Sequence, residues 1–168
     1  DRILTACTLS NLSMAKIHNG KPKPILVKIS PDLSDEQITT VADTAMSHNC
    51  AGIVATNTTI QRPSEGNVMD QNGGLSGIPL RRRSTEVIHL LYSHTKGELP
   101  IIGVGGISDA ESAWEKIGAG ASLLQLYSSL IFEGPSVTKS INRGLNEKIR
   151  EHGFSNLKEA IGHFHKSS

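Results

Sequence analysis

Two short apolar runs, joined by an amphipathic stretch, constrain the fold of this chain more than any other feature. They span residues 100–107 and 121–128, and each ends in small or polar residues. Strands that are covered on both faces have continuous apolar sequences, so this repeat is typical of a parallel sheet with helical connections. A capping box is expected at Ser108–Glu111, where the connecting helix begins. The pattern therefore predicts strand, loop, helix and strand in that order.

The first run ends in Gly105 and Gly106, and this pair predicts an anion site. Their N–H groups are not shielded by a Cβ, and a helix N-terminus follows, which attracts negative charge. In (β/α) barrels, the loops after the last two strands commonly bind a phosphate. A tight turn would explain the glycines if they stood alone. Because a second polar strand end follows one βα repeat later, a phosphate site is the favoured interpretation.

Two further strands are predicted upstream. The first spans residues 25–29, where Lys28 interrupts an apolar run and must either reach solvent or face an anion. The second spans residues 52–55 and leads directly into four hydrogen-bonding side chains at 56–59. The carboxyl ends of parallel strands are the ligand side of such sheets. The sequence therefore predicts binding residues at this end of the second strand.

Helical periodicity separates these strands and completes the fold prediction. Helices are expected over residues 3–17, after a Ser34–Gln37 capping box, from Pro79 onwards, from Gly134–Pro135 onwards, and over the short tail at 153–161. The long segment from Gln61 to about Ser76 is interpreted as a lid or binding loop. In order, this gives four βα units, which is half of a (β/α)₈ barrel that needs about 250 residues to close. The predicted fold class is α/β, and the abrupt start of the first helix is interpreted as a sign of truncation.

Composition excludes several function classes. The chain has 168 residues, 37% of them hydrophobic, and a formal charge of +1, so it can bury a core and has no evident affinity for nucleic acid. The basic run Arg81–Arg83 is interpreted as a solvated helix start. Cys7 and Cys50 lack metal or redox spacing and are expected to be reduced, buried thiols. His163 and His165 are interpreted as a polar tail, so no metal site is predicted. No apolar stretch approaches the length of a membrane span.

Five ordered motifs resemble the C-terminal half of dihydroorotate dehydrogenase. The stretch at 73–80 and the tail at 153–162 resemble the class 2 form, which is quinone-dependent and membrane-associated. The motifs are LVKISPDL at 26–33, TNTT at 56–59, GGLSGIPL at 73–80, GVGGI at 103–107 and QLYS at 125–128. The resemblance implies that residues 1–168 form the C-terminal half of an FMN-binding TIM barrel. The N-terminal half, with its catalytic serine base, would then lie outside this chain.

The resemblance also implies roles for individual residues. Lys28 and Thr56 are similar to residues that contact the flavin ring, where a cation stabilises the charge gained on reduction. Asn57 and Thr58 match positions that hydrogen-bond orotate, whose carbonyl and N–H groups suit amide and hydroxyl side chains. The remaining cofactor-binding positions are Gly77, Gly105, Gly106, Tyr127 and Ser128, the last three around the phosphate. For Tyr127, simple packing at a strand end is a strong alternative explanation of the side chain, and the contribution of this residue would then be its backbone N–H alone. No catalytic residue is assigned within the chain.

The implied activity is the flavin-dependent oxidation of dihydroorotate to orotate in pyrimidine biosynthesis, with a quinone as electron acceptor. The intact enzyme would be peripheral to the bacterial inner membrane or the mitochondrial inner membrane, through its N-terminal region. Two alternatives remain open at this point: another FMN-binding TIM-barrel oxidoreductase, or a non-catalytic phosphate-binding half barrel that acts as an assembly module. The chain by itself is expected to be inactive and either to aggregate or to pair with a second copy, because its outer strands lack partners.

Overall fold

Four parallel strands form the centre of the computed structural model, which describes residues 1–62 and 72–165. The strands are β1 (Leu26–Ile29), β2 (Gly52–Ala55), β3 (Ile101–Val104) and β4 (Leu123–Gln125). They lie side by side in the order β1-β2-β3-β4, and every neighbouring pair is parallel. The predicted parallel sheet is therefore confirmed. Most of the segment interpreted as a lid lies outside the described residues.

Helices connect and cover the strands. They are α1 (Arg2–Ile17), α2 (Asp35–Ser47), α3 (Arg81–Thr95), α4 (Ala110–Ala119), α5 (Ser128–Glu133), α6 (Ser136–Glu151) and α7 (Leu157–Ala160), with 3₁₀ turns at Ile78–Leu80 and His163–His165. Among the described residues, no helix is both long enough and apolar enough to cross a membrane.

Helix α5 was not predicted, because the sequence favours one strand that continues to residue 128. In the structure β4 ends at Gln125, and the chain turns into a helix at Ser128. The next residue, Ser129, is buried and donates a hydrogen bond from Oγ to the carbonyl oxygen of Ile107 at 2.7 Å. This contact ties α5 to the loop after β3. A short apolar run does not distinguish strand from helix by itself, so a long-range contact of this kind was needed.

The two predicted capping boxes have different outcomes. The box at Ser34 and Gln37 is confirmed, and it begins α2. The second box begins α4 one residue later than predicted, at Asp109 and Ser112. The Ser112 Oγ is buried and accepts hydrogen bonds from the N–H groups of both Ser108 and Asp109. In return, the Asp109 carboxylate accepts hydrogen bonds from the Oγ and the N–H of Ser112, and the bond from Oγ is the main reason that the pKa of Asp109 is lowered.

Apolar packing forms two clusters. The first lies between the sheet and helices α2 and α3, and it includes Ile38, Ile53 and Leu91. The second lies among α4, α6 and α7, and it includes Trp114. Leu124 on β4 packs against both clusters, so the last strand connects them. The predicted stripes of the helices that follow β1 and β2 and of the helix after Gly134 face these clusters. Cys50 is buried in the first cluster as expected, but the expectation is wrong for Cys7, because no residue of α1 is buried.

The two outer strands leave apolar side chains exposed. Leu26 on β1 is 45% exposed and Leu123 on β4 is 63% exposed. The other exposed large apolar residues near β1 belong to α1, and those near β4 lie in 127–132. We call these two surfaces the α1–β1 edge and the β4–α5 edge. Eleven of the fourteen large exposed apolar residues found among the described residues lie on them. The sheet is therefore open, with apolar surface concentrated on both sides.

The interpretation of Arg81–Arg83 as a solvated helix start is wrong for two of the three residues. Arg81 donates from Nε to Glu115 Oε2 at 2.9 Å, and this pairing raises its pKa. Arg83 donates to the carbonyl oxygens of Pro31 and Leu33, each at 3.0 Å. Only the Arg82 side chain, at 91% exposure, is solvated as expected. These arginines anchor the start of α3 to its neighbours.

The interpretation of His163 and His165 as a polar tail is also wrong. The His165 ring stacks on His89 with ring centroids 3.9 Å apart, and its Nε2 donates to Ala119 O at 3.0 Å. His163 lies against Trp114 at a centroid distance of 5.0 Å. The tail therefore packs onto α3 and α4. Within residues 1–62 and 72–165, no cluster of three or more His, Cys, Asp or Glu side chains has a metal-binding arrangement.

Lys116 on α4 is completely buried against α3. Its ammonium donates to Arg81 O at 2.7 Å and to Thr85 Oγ1 at 2.6 Å, so its hydrogen bonds replace part of the lost hydration. Burial nevertheless lowers the pKa of Lys116 to about 7. In an unfolded chain this side chain would have its ordinary pKa of 10.5.

We expect Lys116 to make the stability of the protein depend on alkaline pH. Between pH 7 and 10.5 the unfolded chain binds more protons at this residue than the folded chain, so the free energy of unfolding rises with pH. The slope approaches about 1.4 kcal/mol per pH unit. Urea unfolding at pH 7, 8 and 9 should show this rise in the parent protein, while Lys116→Met should lack it. The exposed Lys139→Met serves as the control, and equal pH dependence in parent and Lys116→Met would contradict the expectation.

Candidate functional site

A cavity of about 900 Å³ opens at the carboxyl ends of the four strands. All nine residues singled out in the sequence line it: Lys28, Thr56, Asn57, Thr58, Gly77, Gly105, Gly106, Tyr127 and Ser128. They come from strand β1 and from the connections that follow β2, β3 and β4, which lie far apart in the sequence. The structure therefore brings the predicted set together, while the role of each residue stays a prediction.

The backbone after β2 is held firmly at the floor of this cavity. Thr56 is buried, its N–H donates to Val104 O at 2.9 Å, and its Oγ1 donates to Asn57 O at 2.9 Å. The N–H of Asn57 donates to Ile29 O at 2.7 Å, and the peptide bond between Ala55 and Thr56 is cis. With both neighbouring strands holding this backbone, the side chains of Asn57 and the following Thr58 remain exposed at the cavity.

Lys28 enters the same space from β1. It lies opposite Val54 in the register of β1 and β2, close to the point where β2 runs into Thr56. Its side chain is exposed, and it forms no ion pair or hydrogen bond within the described residues. A lysine side chain without a protein partner at a cavity wall is suited to an anionic or electron-rich ligand.

The segment 72–77 forms a second wall of the cavity. Thr59 and Leu75 exchange two backbone hydrogen bonds, at 3.1 and 2.7 Å, which dock this segment onto the loop after β2. Gly74 lies so close to Thr58 that an added Cβ would be 1.9 Å from Thr58 Oγ1. The side chain of Ser76 reaches across to Ser128, with their Oγ atoms 2.9 Å apart. The segment therefore links the middle of the sheet to the start of α5.

Gly105 and Gly106 form a cradle at the other end of the cavity. Both have positive φ, at 125° and 68°, and neither N–H donates a hydrogen bond within the described residues. The loop passes directly against the first turn of α3, since a Cβ added at Gly106 would lie 2.6 Å from the Cα of Arg81. The Arg81 charge is paired with Glu115, so the cradle offers backbone N–H groups rather than a free guanidinium. Such a concave group of N–H donors suits a phosphate.

Several cavity residues were missed by the sequence reasoning. Beside the predicted nine, the wall includes Leu75, Ser76, Ser108, Gln125, Phe132 and Glu133. Ser76 lies inside the GGLSGIPL motif, so the motif was a sufficient signal for it. Phe132 and Glu133 belong to α5, which the sequence did not predict. Phe132 is 86% exposed and gives this end of the cavity an apolar surface.

Comparison with known proteins gives a consistent result. The family model described as "Dihydroorotate dehydrogenase" matches residues 2–149. The chain is 48% identical over 166 residues to "Dihydroorotate dehydrogenase (quinone)" of Rippkaea orientalis, covering 94% of this chain and 44% of that protein. It is 53% identical over 153 residues to the protein of the same name from Synechocystis sp., covering 86% of this chain and 40% of that protein.

A solved structure supports the same similarity. The crystal structure of DHODH in complex with ferulenol from Eimeria tenella matches with a TM-score of 0.82 and 39% sequence identity. The match covers 88% of this chain and 40% of that chain. The present chain thus spans about two-fifths of the length of the proteins it matches. The predicted fold class, four βα units that form part of a TIM barrel, is confirmed.

Proposed function

This chain belongs to the dihydroorotate dehydrogenase family, and we propose on that basis that its cavity is the FMN- and orotate-binding part of a quinone-dependent enzyme. The complete reaction would be the oxidation of dihydroorotate to orotate in pyrimidine biosynthesis. The observation that carries the proposal is that all nine residues to which the resemblance gives cofactor or substrate roles line a single cavity. The family match favours this function over that of another FMN barrel or a non-catalytic phosphate-binding module.

The donor set at the glycine cradle fits the phosphate of FMN. Gly106 is buried, yet its N–H donates no hydrogen bond within the described residues, so a ligand oxygen would satisfy it. The backbone of Tyr127 and Ser128 would add donors from the start of α5, and Gly77 lies beside Ser128 on the opposite wall with a φ of 78°, which favours glycine. These residues would hold the phosphate through backbone N–H groups and hydroxyls.

The ring end of the cofactor would lie toward β1 and β2. FMN, when bound, supplies the acceptor for the two electrons that leave the substrate. Lys28 would place a positive charge beside the ring and thereby favour its reduced, anionic form. Thr56, fixed by its own backbone hydrogen bonds, would contact the same ring. The two residues therefore orient the ring and tune its charge.

Asn57 and Thr58 would bind the substrate above the ring. An amide presents one acceptor and two donor hydrogens, and a hydroxyl can act in either sense, which matches the alternating carbonyl and N–H groups of orotate. No base is proposed within this chain. We propose that residues 1–168 are the C-terminal half of the barrel and that the N-terminal half supplies the base. That half would also provide the contact with the quinone and with the bacterial or mitochondrial inner membrane.

We expect Asn57→Ala to weaken substrate binding and to leave FMN bound. Loss of a buried hydrogen bond to a polar ring costs about 1–3 kcal/mol, so the dissociation constant of orotate should rise roughly 5- to 150-fold. The measurement is an orotate titration followed by flavin absorbance in the full protein that carries this chain. Asn142→Ala, on the exposed side of α6, is the matched control. A variant that loses its flavin but keeps normal orotate affinity would refute the assignment of Asn57 to the substrate.

A further inference from the structure

The Asp32 carboxylate connects two loops at the edge of the cavity. It lies in the connection after β1, within the LVKISPDL motif, and has no assigned role so far. Its Oδ1 accepts a hydrogen bond from Thr59 Oγ1, and its Oδ2 accepts from the N–H of Ile60 at 2.9 Å. Both oxygens are thus committed to the loop after β2, immediately beyond Asn57 and Thr58.

Thr59 extends this connection to a third segment. Its side chain is buried, and Oγ1 also accepts a hydrogen bond from the N–H of Gln61 at 3.0 Å. Its backbone exchanges two hydrogen bonds with Leu75 in the segment 72–77. The loop after β1, the loop after β2 and this segment therefore meet at one threonine, whose hydroxyl is oriented by Asp32.

The Asp32 side of this junction is itself anchored. Arg83 on α3 donates to Pro31 O and Leu33 O, on either side of Asp32 in the sequence, and pairs with Asp35 at 3.2 Å. The guanidinium contacts the backbone around Asp32 and not its carboxylate. The donors to that carboxylate are a neutral hydroxyl and a neutral N–H. Asp32 therefore acts as a fixed acceptor that is attached to α3 and holds the loop after β2.

We propose that Asp32 is a positioning residue that orients Asn57 and Thr58 toward the substrate. The two carboxylate oxygens of Asp32 hold Thr59 and Ile60, which follow Thr58. On the other side, the backbone at Thr56 and Asn57 is held by β3 and β1. The exposed amide and hydroxyl between these two anchors then have little freedom to turn away from a planar ring that carries carbonyl and N–H groups. This inference rests on the proposed function for the class of substrate.

The test uses the full protein purified with its flavin. The variants are Asp32→Ala, Asp32→Asn and Thr59→Val. Asp43→Asn is the control, because the Asp43 carboxylate contacts His94 far from the Asp32–Thr59 contact. We expect Asp32→Ala to raise the orotate dissociation constant and the KM for dihydroorotate at least tenfold. Flavin content should stay at the parent level. Asp32→Asn keeps one acceptor and should have a smaller effect, and Thr59→Val should follow Asp32→Ala.

The possible outcomes separate this inference from the proposed function. If Asn57→Ala weakens orotate binding but Asp32→Ala and Thr59→Val do not, Asp32 has no positioning role. A second outcome is that Asp32→Ala and Thr59→Val lose flavin and stability together, while Asp32→Asn shows no specific change in KM. Asp32 is then only structural, and the inference is overturned. If Asn57→Ala also leaves orotate affinity unchanged, the proposed substrate site itself is refuted. Should Asp32→Ala fail to fold, Asp32→Asn and Thr59→Val decide the question by the same criteria.

Discussion

Gly106→Ala is expected to abolish flavin binding and to destabilise the protein by about 3 kcal/mol, because two costs combine at this position. The residue has a φ of 68°, which L side chains rarely adopt. The new methyl group would also lie 2.5 Å from the Cβ of Arg81 and 2.6 Å from its Cα, and the backbone of α3 cannot move aside easily. Relief of this overlap would displace the loop whose N–H groups are proposed to hold the phosphate. Denaturant unfolding and the flavin absorbance of the purified protein measure the two effects.

Gly153→Ala provides the control for backbone strain alone. Gly153 has a φ of 72°, and nothing lies within 4 Å of an added Cβ, so this variant carries the conformational cost without the overlap. It should lose about 1 kcal/mol and keep its flavin. If Gly106→Ala behaves like Gly153→Ala in both measurements, the close packing of the cradle against α3 has no importance for the site.

The 168-residue chain expressed by itself is expected to associate, and a pair of copies at twice its mass of 18.0 kDa is the smallest closed form. A barrel of this class has eight strands, and the present sheet has four with both edges open. In a two-copy barrel, the α1–β1 edge of each copy would cover the β4–α5 edge of the other. Unpaired apolar edges promote association, and most of the large exposed apolar residues lie on these two surfaces. Light scattering coupled to size-exclusion chromatography gives the mass.

Leu123→Asp tests which surface is responsible. A carboxylate on the outer strand β4 should prevent pairing, while Asn142→Asp places the same charge at an exposed position of α6, outside both edges, and should not. The paired chain should bind FMN weakly and show no dihydroorotate-dependent dye reduction, because the base is proposed to lie outside this chain. A monomer that turns over dihydroorotate would contradict both expectations.

The sequence alone was sufficient to predict those elements whose residue pattern is local or periodic. The Ser34 capping box, the buried stripe of α3 at Val87, Ile88 and Leu91, and the four strands follow from residue patterns within about fifteen positions. The rule that the carboxyl ends of parallel strands share one side of the sheet indicated residues 56–59, Gly105 and Gly106, whereas Gly77, Tyr127 and Ser128 were assigned through the family resemblance. Short motifs could therefore be assigned to one site although they are distant in sequence.

The sequence alone was insufficient to predict local structure that depends on a contact between residues distant in the chain. Helix α5 depends on the hydrogen bond from Ser129 to Ile107, and the roles of Arg81 and Arg83 depend on partners on other elements. The Asp32–Thr59 contact spans 27 positions and has no periodic signature. A lysine in the middle of α4 gives no sign that it is buried, since its partners Arg81 O and Thr85 Oγ1 belong to another helix.

The strand order β1-β2-β3-β4 has a consequence for how the protein is made. Each strand pairs with the strand that precedes it in the chain, so the sheet can grow in the order in which the ribosome releases its strands. Synthesis proceeds at about 5–20 residues per second, so successive βα units emerge seconds apart. Local elements form in microseconds, which leaves ample time for each unit to dock before the next appears. The growing edge would remain open at every stage, and it is at this edge that a nascent chain most needs protection from its neighbours on the same messenger RNA.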